Sequence, residues 1–67
     1  MKLKINGEFV TLPEGVQSVD EVKEHFQLNN KVVIVELNGE ILEKDSHALA
    51  AVKDGDQLEI VHFVGGG

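Results

Sequence analysis

Two Asn-Gly dipeptides, Asn6-Gly7 and Asn38-Gly39, constrain this chain most, because each directly follows a run with strand character. Asn-Gly suits the positive φ angles of a two-residue type I′ turn, so the chain is expected to fold back on itself at both points. Around the first, Met1, Leu3 and Ile5 alternate with Lys2 and Lys4. A loop of only Asn6 and Gly7 pairs Leu3 with Val10 and Met1 with Leu12, which puts four apolar side chains on one face. The same register turns Phe9 outward beside Lys4. Either Phe9 belongs to an exposed contact patch or the loop is longer.

After the break at Pro13-Glu14-Gly15, Ser18-Val19-Asp20-Glu21 has the form of a capping box. The Ser18 hydroxyl can accept from the Glu21 N–H, and the Glu21 carboxylate can reach back to the Ser18 N–H. A helix is expected from about Val19 to Gln27, with Val19, Val22 and Phe26 as its apolar stripe and Asn29-Asn30 ending it. Val32 to Leu37 is largely β-branched and reads as a central strand, with a short strand at Ile41-Leu42 beyond the second Asn-Gly. Residues 43 to 53 have no clear period and read as loop with at most one helical turn, from which Leu49 and Val52 reach the core. Asp54-Gly55-Asp56 is a turn, and Gln57 to Phe63 is a strand with Leu58 and Ile60 facing in. Strand, strand, helix, strand, short strand, strand describes an α+β chain. A helix packed across one face of a mixed sheet of four to five strands, with the last strand beside the first, is the β-grasp arrangement.

Sixty-seven residues make one domain, here 1–64, followed by a tail at 65–67. With no cysteine, disulfides, Cys-based zinc sites and a thiol nucleophile are excluded. Six lysines and no arginine face twelve acids, a net charge of −6. That surface repels nucleic acid and anionic membrane, and it either suits basic protein partners or serves solubility alone. The opening residues lack the long apolar run of a signal peptide, and no segment approaches the ~20 apolar residues of a membrane span. A cytoplasmic protein is expected.

No catalytic constellation stands out. His25, His47 and His62 lack metal-ligand spacing and read as ordinary surface or boundary histidines, so no metal site is expected. Asp20 and Glu21 are explained by helix capping, and Asp54 and Asp56 by turn chemistry. No nucleophile has an adjacent base, so an enzyme is not expected. The run Gly65-Gly66-Gly67 has two physical meanings. Glycines pack nothing and fray; glycines also lack the Cβ atoms that would block a narrow channel. Attached to a core strand, Val64 to Gly67 can reach ~13 Å, enough to enter another protein's active site. The Gly67 carboxylate is a poor electrophile and needs activation, for example by attack on the α-phosphate of ATP. A partner must bring the magnesium and cationic groups, because this chain has no P-loop and no arginine. Outward-facing Val61 and Phe63, with Ile34 of the neighbouring strand, form a candidate docking patch at the root of the tail, unless a loop or a second copy of the chain covers them.

Val35-Glu36-Leu37-Asn38-Gly39-Glu40-Ile41 and Asp54-Gly55-Asp56 through Glu59-Ile60-Val61-His62-Phe63-Val64-Gly65-Gly66-Gly67 resemble the ThiS sulfur carriers of thiamine biosynthesis, over the whole chain. That family is related to the small subunit of molybdopterin synthase and, more distantly, to ubiquitin. The resemblance implies a ubiquitin-like β-grasp fold with a flexible glycine tail. It also implies a cycle in which Gly67 is adenylated by a ThiF-type enzyme using ATP and magnesium. Gly67 is then converted to a thiocarboxylate with sulfur from a cysteine desulfurase, which is delivered to a thiazole synthase of ThiG type. Gly66 and Gly65 would give passage into the partner's site, with Gly65 the more tolerant of small substitutions. Three rival readings are a molybdopterin synthase small subunit, whose chains are usually longer, a ubiquitin-like protein modifier, and a β-grasp binding module with an incidental tail.

Overall fold

Both Asn-Gly dipeptides form the turns their composition suggests. The computed structural model describes residues 1–62. In it Asn6 and Gly7 have φ of 52° and 85°, and Asn38 and Gly39 have 51° and 85°, the doubly positive pattern of type I′. The first turn folds β1 (Lys2–Ile5) onto β2 (Glu8–Thr11), with Leu3 opposite Val10 and Lys4 opposite Phe9. The Leu12 N–H donates to the Met1 carbonyl at 2.7 Å, which continues the expected pairing. Phe9 points outward, with the ammonium groups of Lys4 and Lys2 over its ring at 5.6 and 5.8 Å. The short loop and the outward Phe9 therefore hold together.

The helix, α1 (Val19–His25), starts where Ser18 caps it: the Glu21 N–H donates to Ser18 Oγ at 3.2 Å. The return arm differs from expectation. The Glu21 carboxylate accepts from the Gln17 N–H and the Ser18 hydroxyl, both at 3.3 Å, in place of the Ser18 N–H. The two N–H groups just inside the helix are taken up by a distant segment, Val19 donating to the Ala50 carbonyl and Asp20 to that of His47. The helix also stops before Asn29-Asn30. Gln27 takes the left-handed conformation, φ 61°, while its N–H donates to the Glu24 carbonyl and the Leu28 N–H donates to that of Lys23. This is a Schellman ending with glutamine where glycine is usual.

The second Asn-Gly joins β3 (Val33–Leu37) to β4 (Glu40–Leu42), and the chain finishes its described part in β5 (Gln57–His62). The sheet order is β2-β1-β5-β3-β4, with β5 parallel to β1 and the other neighbours antiparallel. This is the expected mixed five-stranded sheet with one helix. The middle strand, however, is β5, with β3 beside it. Leu3, Ile5, Leu12, Val19, Val22, Val35, Val52, Leu58 and Ile60 make the core between helix and sheet.

Between β4 and β5 lies one 3-10 turn, Lys44–Ser46. Val52 reaches the core as expected, but Leu49 points away at 86% exposed. His47, read from sequence as a surface or boundary residue, occupies the interior instead, at 2% exposed. The apolar stripe of α1 is likewise altered: Val19 and Val22 are buried, whereas Phe26 lies at the rim and Lys23, one turn after Val19, is buried. The Lys23 ammonium lies 2.8 Å from His47 Nδ1 and 3.2 Å from Asp20 Oδ1, so two partners satisfy a cation that an apolar stripe would exclude.

Candidate functional site

The glycines follow β5, so the firmness of β5 decides what they can be attached to. Leu58 and Ile60 anchor its inner face, at 1% and 8% exposed. Its backbone is paired on both sides and is fastened further by two side chains. Asn6 Oδ1 accepts from the Ile60 N–H at 2.7 Å while Asn6 Nδ2 donates to the Ile60 carbonyl at 3.1 Å. The Asn6 amide thus imitates one more residue of the β1–β5 ladder. Asn38 does the equivalent work at the other end, its Oδ1 accepting from the Gln57 N–H at 2.9 Å and its N–H donating to the Gln57 carbonyl at 2.8 Å. Sequence reasoning assigned these asparagines to turns alone. The signal for more was their placement beside β5 by topology, which no local pattern carries.

The turn before β5 is held in the same manner. Buried Asp56 accepts from the Lys53 N–H at 2.9 Å and from Asn38 Nδ2 at 3.1 Å, and Asp54 accepts from the Lys2 N–H at 2.6 Å. Asp54 and Asp56 are therefore turn residues, as expected.

On the outer face, away from α1, Val61 stands directly opposite Ile34 across the β5–β3 ladder, at 50% and 41% exposed. Two of the three residues of the expected docking patch are thus neighbours. The third, Phe63, lies outside the described residues, as do Val64, Gly65, Gly66 and Gly67 and everything expected of the tail. The next pair on that face is Glu36 opposite Glu59, flanked by exposed Ile41 on β4. Like charges directly opposite one another weaken a sheet. An apolar pair bordered by two carboxylates is a surface suited to a partner with an apolar knob and a cation beside it.

On the inner face at the same end, Ile5, Val10, Phe26, Leu28 and Ile60 line a groove of ≈ 300 Å³ bordered by His62. His25 and His62 are exposed, and among the described residues no group of histidines and carboxylates is arranged to hold a metal. No described helix is long and apolar enough to cross a membrane. Burial, reinforced by the Lys23 charge, holds the His47 imidazole below its ordinary value of 6.5.

The model of the ThiS family matches residues 3–67. This chain belongs to the ThiS family. The sulfur carrier protein ThiS of Bacillus subtilis (strain 168) is 42% identical over 65 residues, covering 97% of this chain and 98% of that protein. The crystal structure of the thiamine biosynthesis protein ThiS from Geobacter metallireducens superposes with a TM-score of 0.82 at 38% identity, each chain covered in full. The solution structure from the same organism gives the same TM-score and covers 88% of that chain. The β-grasp arrangement above is therefore the ThiS fold. A third relative, the thiazole synthase of Paramagnetospirillum magneticum (strain ATCC 700264 / AMB-1), is 45% identical over all 67 residues, which span 20% of that protein. Membership of the ThiS family makes the chain a sulfur carrier of that type rather than an enzyme.

Proposed function

We propose that this ThiS-family chain serves thiamine biosynthesis by carrying sulfur on the carbonyl of Gly67, for formation of the thiazole ring. A ThiF-type partner supplies ATP and magnesium. The Gly67 carboxylate attacks the α-phosphate, pyrophosphate leaves, and an acyl adenylate results. A nucleophilic sulfur, originating from a cysteine desulfurase, displaces AMP. Once a thiol has reduced the bond to the sulfur donor, a thiocarboxylate remains and passes its sulfur to thiazole synthase. Gly66 and Gly65 allow passage, and Ile34, Val61 and Phe63 dock the partner. The setting is the cytoplasm.

The observation that carries this reading is the mount. The glycines follow the middle strand of the sheet, which is paired on both sides and clasped by Asn6 and Asn38. The ThiS family model extends through Gly67, which supports placing the chemistry there. A relative named thiazole synthase that contains a stretch like this whole chain favours thiazole synthase over a molybdopterin enzyme as the recipient.

The test is intact mass after incubation with ATP, a ThiF-type enzyme and a sulfur donor. An adenylate followed by oxygen-to-sulfur exchange at Gly67 is expected. Absence of both, with a chain that remains folded, would refute the reading. Isopeptide-linked targets in extract would favour a protein modifier.

A further inference from the structure

We propose that the cavity beneath the C-terminal half of α1 binds a phosphoryl oxyanion. It has a volume of ≈ 420 Å³ and is lined by Lys23, Asn29, Asn30, Lys31, Lys44 and His47, with Val32 and Val33 completing the wall. In a chain with twelve acids and six lysines, the lining contains three of those lysines and no carboxylate. Such segregation against the net charge creates a local positive field that an acidic surface otherwise lacks.

The hydrogen-bonding sense of the cavity points the same way. Lys23 is an ammonium and can only donate, so at 2.8 Å from His47 Nδ1 it makes that nitrogen the acceptor. The ring proton then sits on Nε2. That N–H is buried and has no hydrogen-bond partner. The Leu42 backbone beside the ring favours its protonated form. Three ammonium groups and two asparagine amides call for an acceptor of compact, multiple negative charge. A phosphoryl group supplies several such oxygens, and lysine binds it as a point charge without needing the guanidinium fork.

The groups facing His47 are Lys23 and Asp20 of α1 and Lys44 of the 3-10 turn. Only Asp20 is negative, and it is already paired with Lys23 at 3.2 Å. The cavity also lies at the end of the sheet where β5 finishes, since Val33 on its wall is the partner of His62. This proposal does not rest on the sulfur reading. The phosphoryl group could be free phosphate, pyrophosphate or the phosphate of AMP.

The full-length chain is titrated with each of these three compounds, following His47 by NMR. The tightest binder identifies the source. Binding is expected to raise the His47 pKa, because an adjacent anion favours the imidazolium. Removing both exposed lysines, in K31A/K44A, should weaken binding about tenfold. The control K2A/K53A, which removes two exposed lysines outside the cavity, should bind as the parent does. The proposal is overturned if millimolar amounts of all three compounds leave the His47 titration unmoved. It is equally overturned if K2A/K53A loses as much affinity as K31A/K44A.

Discussion

The two faces of the sheet are built from the same strands and have opposite characters. On β5, Leu58 and Ile60 are buried under α1, while Glu59 and Val61, one residue on from each, lie bare. On β3, Val35 is fully buried while Ile34 and Glu36 face outward. The inner face is consistent at every level, since alternation, β-branching and packing agree. The outer face breaks two local rules, an exposed apolar pair and a pair of facing carboxylates. Such exceptions are expected where a surface serves a partner in addition to the fold.

The sharpest way to break this contrast is to truncate one residue on each face. Leu58→Ala should cost about 2–5 kcal/mol, a large part of the ~3–10 kcal/mol available to a chain of this length. Urea denaturation would show it as a fall in midpoint. Val61→Asp should leave that midpoint within about 1 kcal/mol yet weaken binding to a ThiF-type partner at least tenfold by titration calorimetry. An unchanged affinity would remove Val61 from the docking surface.

The inner side also has a pH signature. The folded state holds His47 below 6.5, so the unfolded chain binds the extra proton first. Stability from this group is fully present above pH 6.5 and is lost as pH falls through the folded value. His47→Gln should flatten that part of the profile, measured as thermal midpoint against pH in a phosphate-free buffer.

Smaller effects refine the picture. Gln27→Gly should stabilise the fold by about 0.5–1 kcal/mol, because glycine adopts the left-handed helix ending without strain. Glu59→Lys should stabilise it by about 0.2–1 kcal/mol by replacing repulsion with attraction to Glu36. If that lysine also weakens partner binding, the facing carboxylates are retained for recognition.

What could be read in advance was whatever a short window specifies. Asn-Gly gave both hairpins, Ser18 with Glu21 marked the helix start, and alternation placed Leu58 and Ile60 inward with Val61 outward. Contacts between distant segments were not legible. Lys23 and His47 are 24 positions apart in sequence, yet their nitrogens meet at 2.8 Å in the interior. Leu49 was expected in the core for its hydrophobicity. The segment that carries it instead caps α1 with its carbonyls from His47 and Ala50. The helix end was misplaced because left-handed asparagine is a more familiar sequence signal than left-handed glutamine.

The paired amides on β5 carry a consequence for how the molecule ages. Asn-Gly is a sequence prone to losing ammonia, because glycine leaves the following amide nitrogen free to attack the side chain. At Asn6 the product carboxylate would place an acceptor against the Ile60 carbonyl, where Nδ2 now donates. At Asn38 it would set a second negative charge beside Asp56. Slow chemical damage at either hairpin would therefore register at the strand that bears the glycines before it registered in the core.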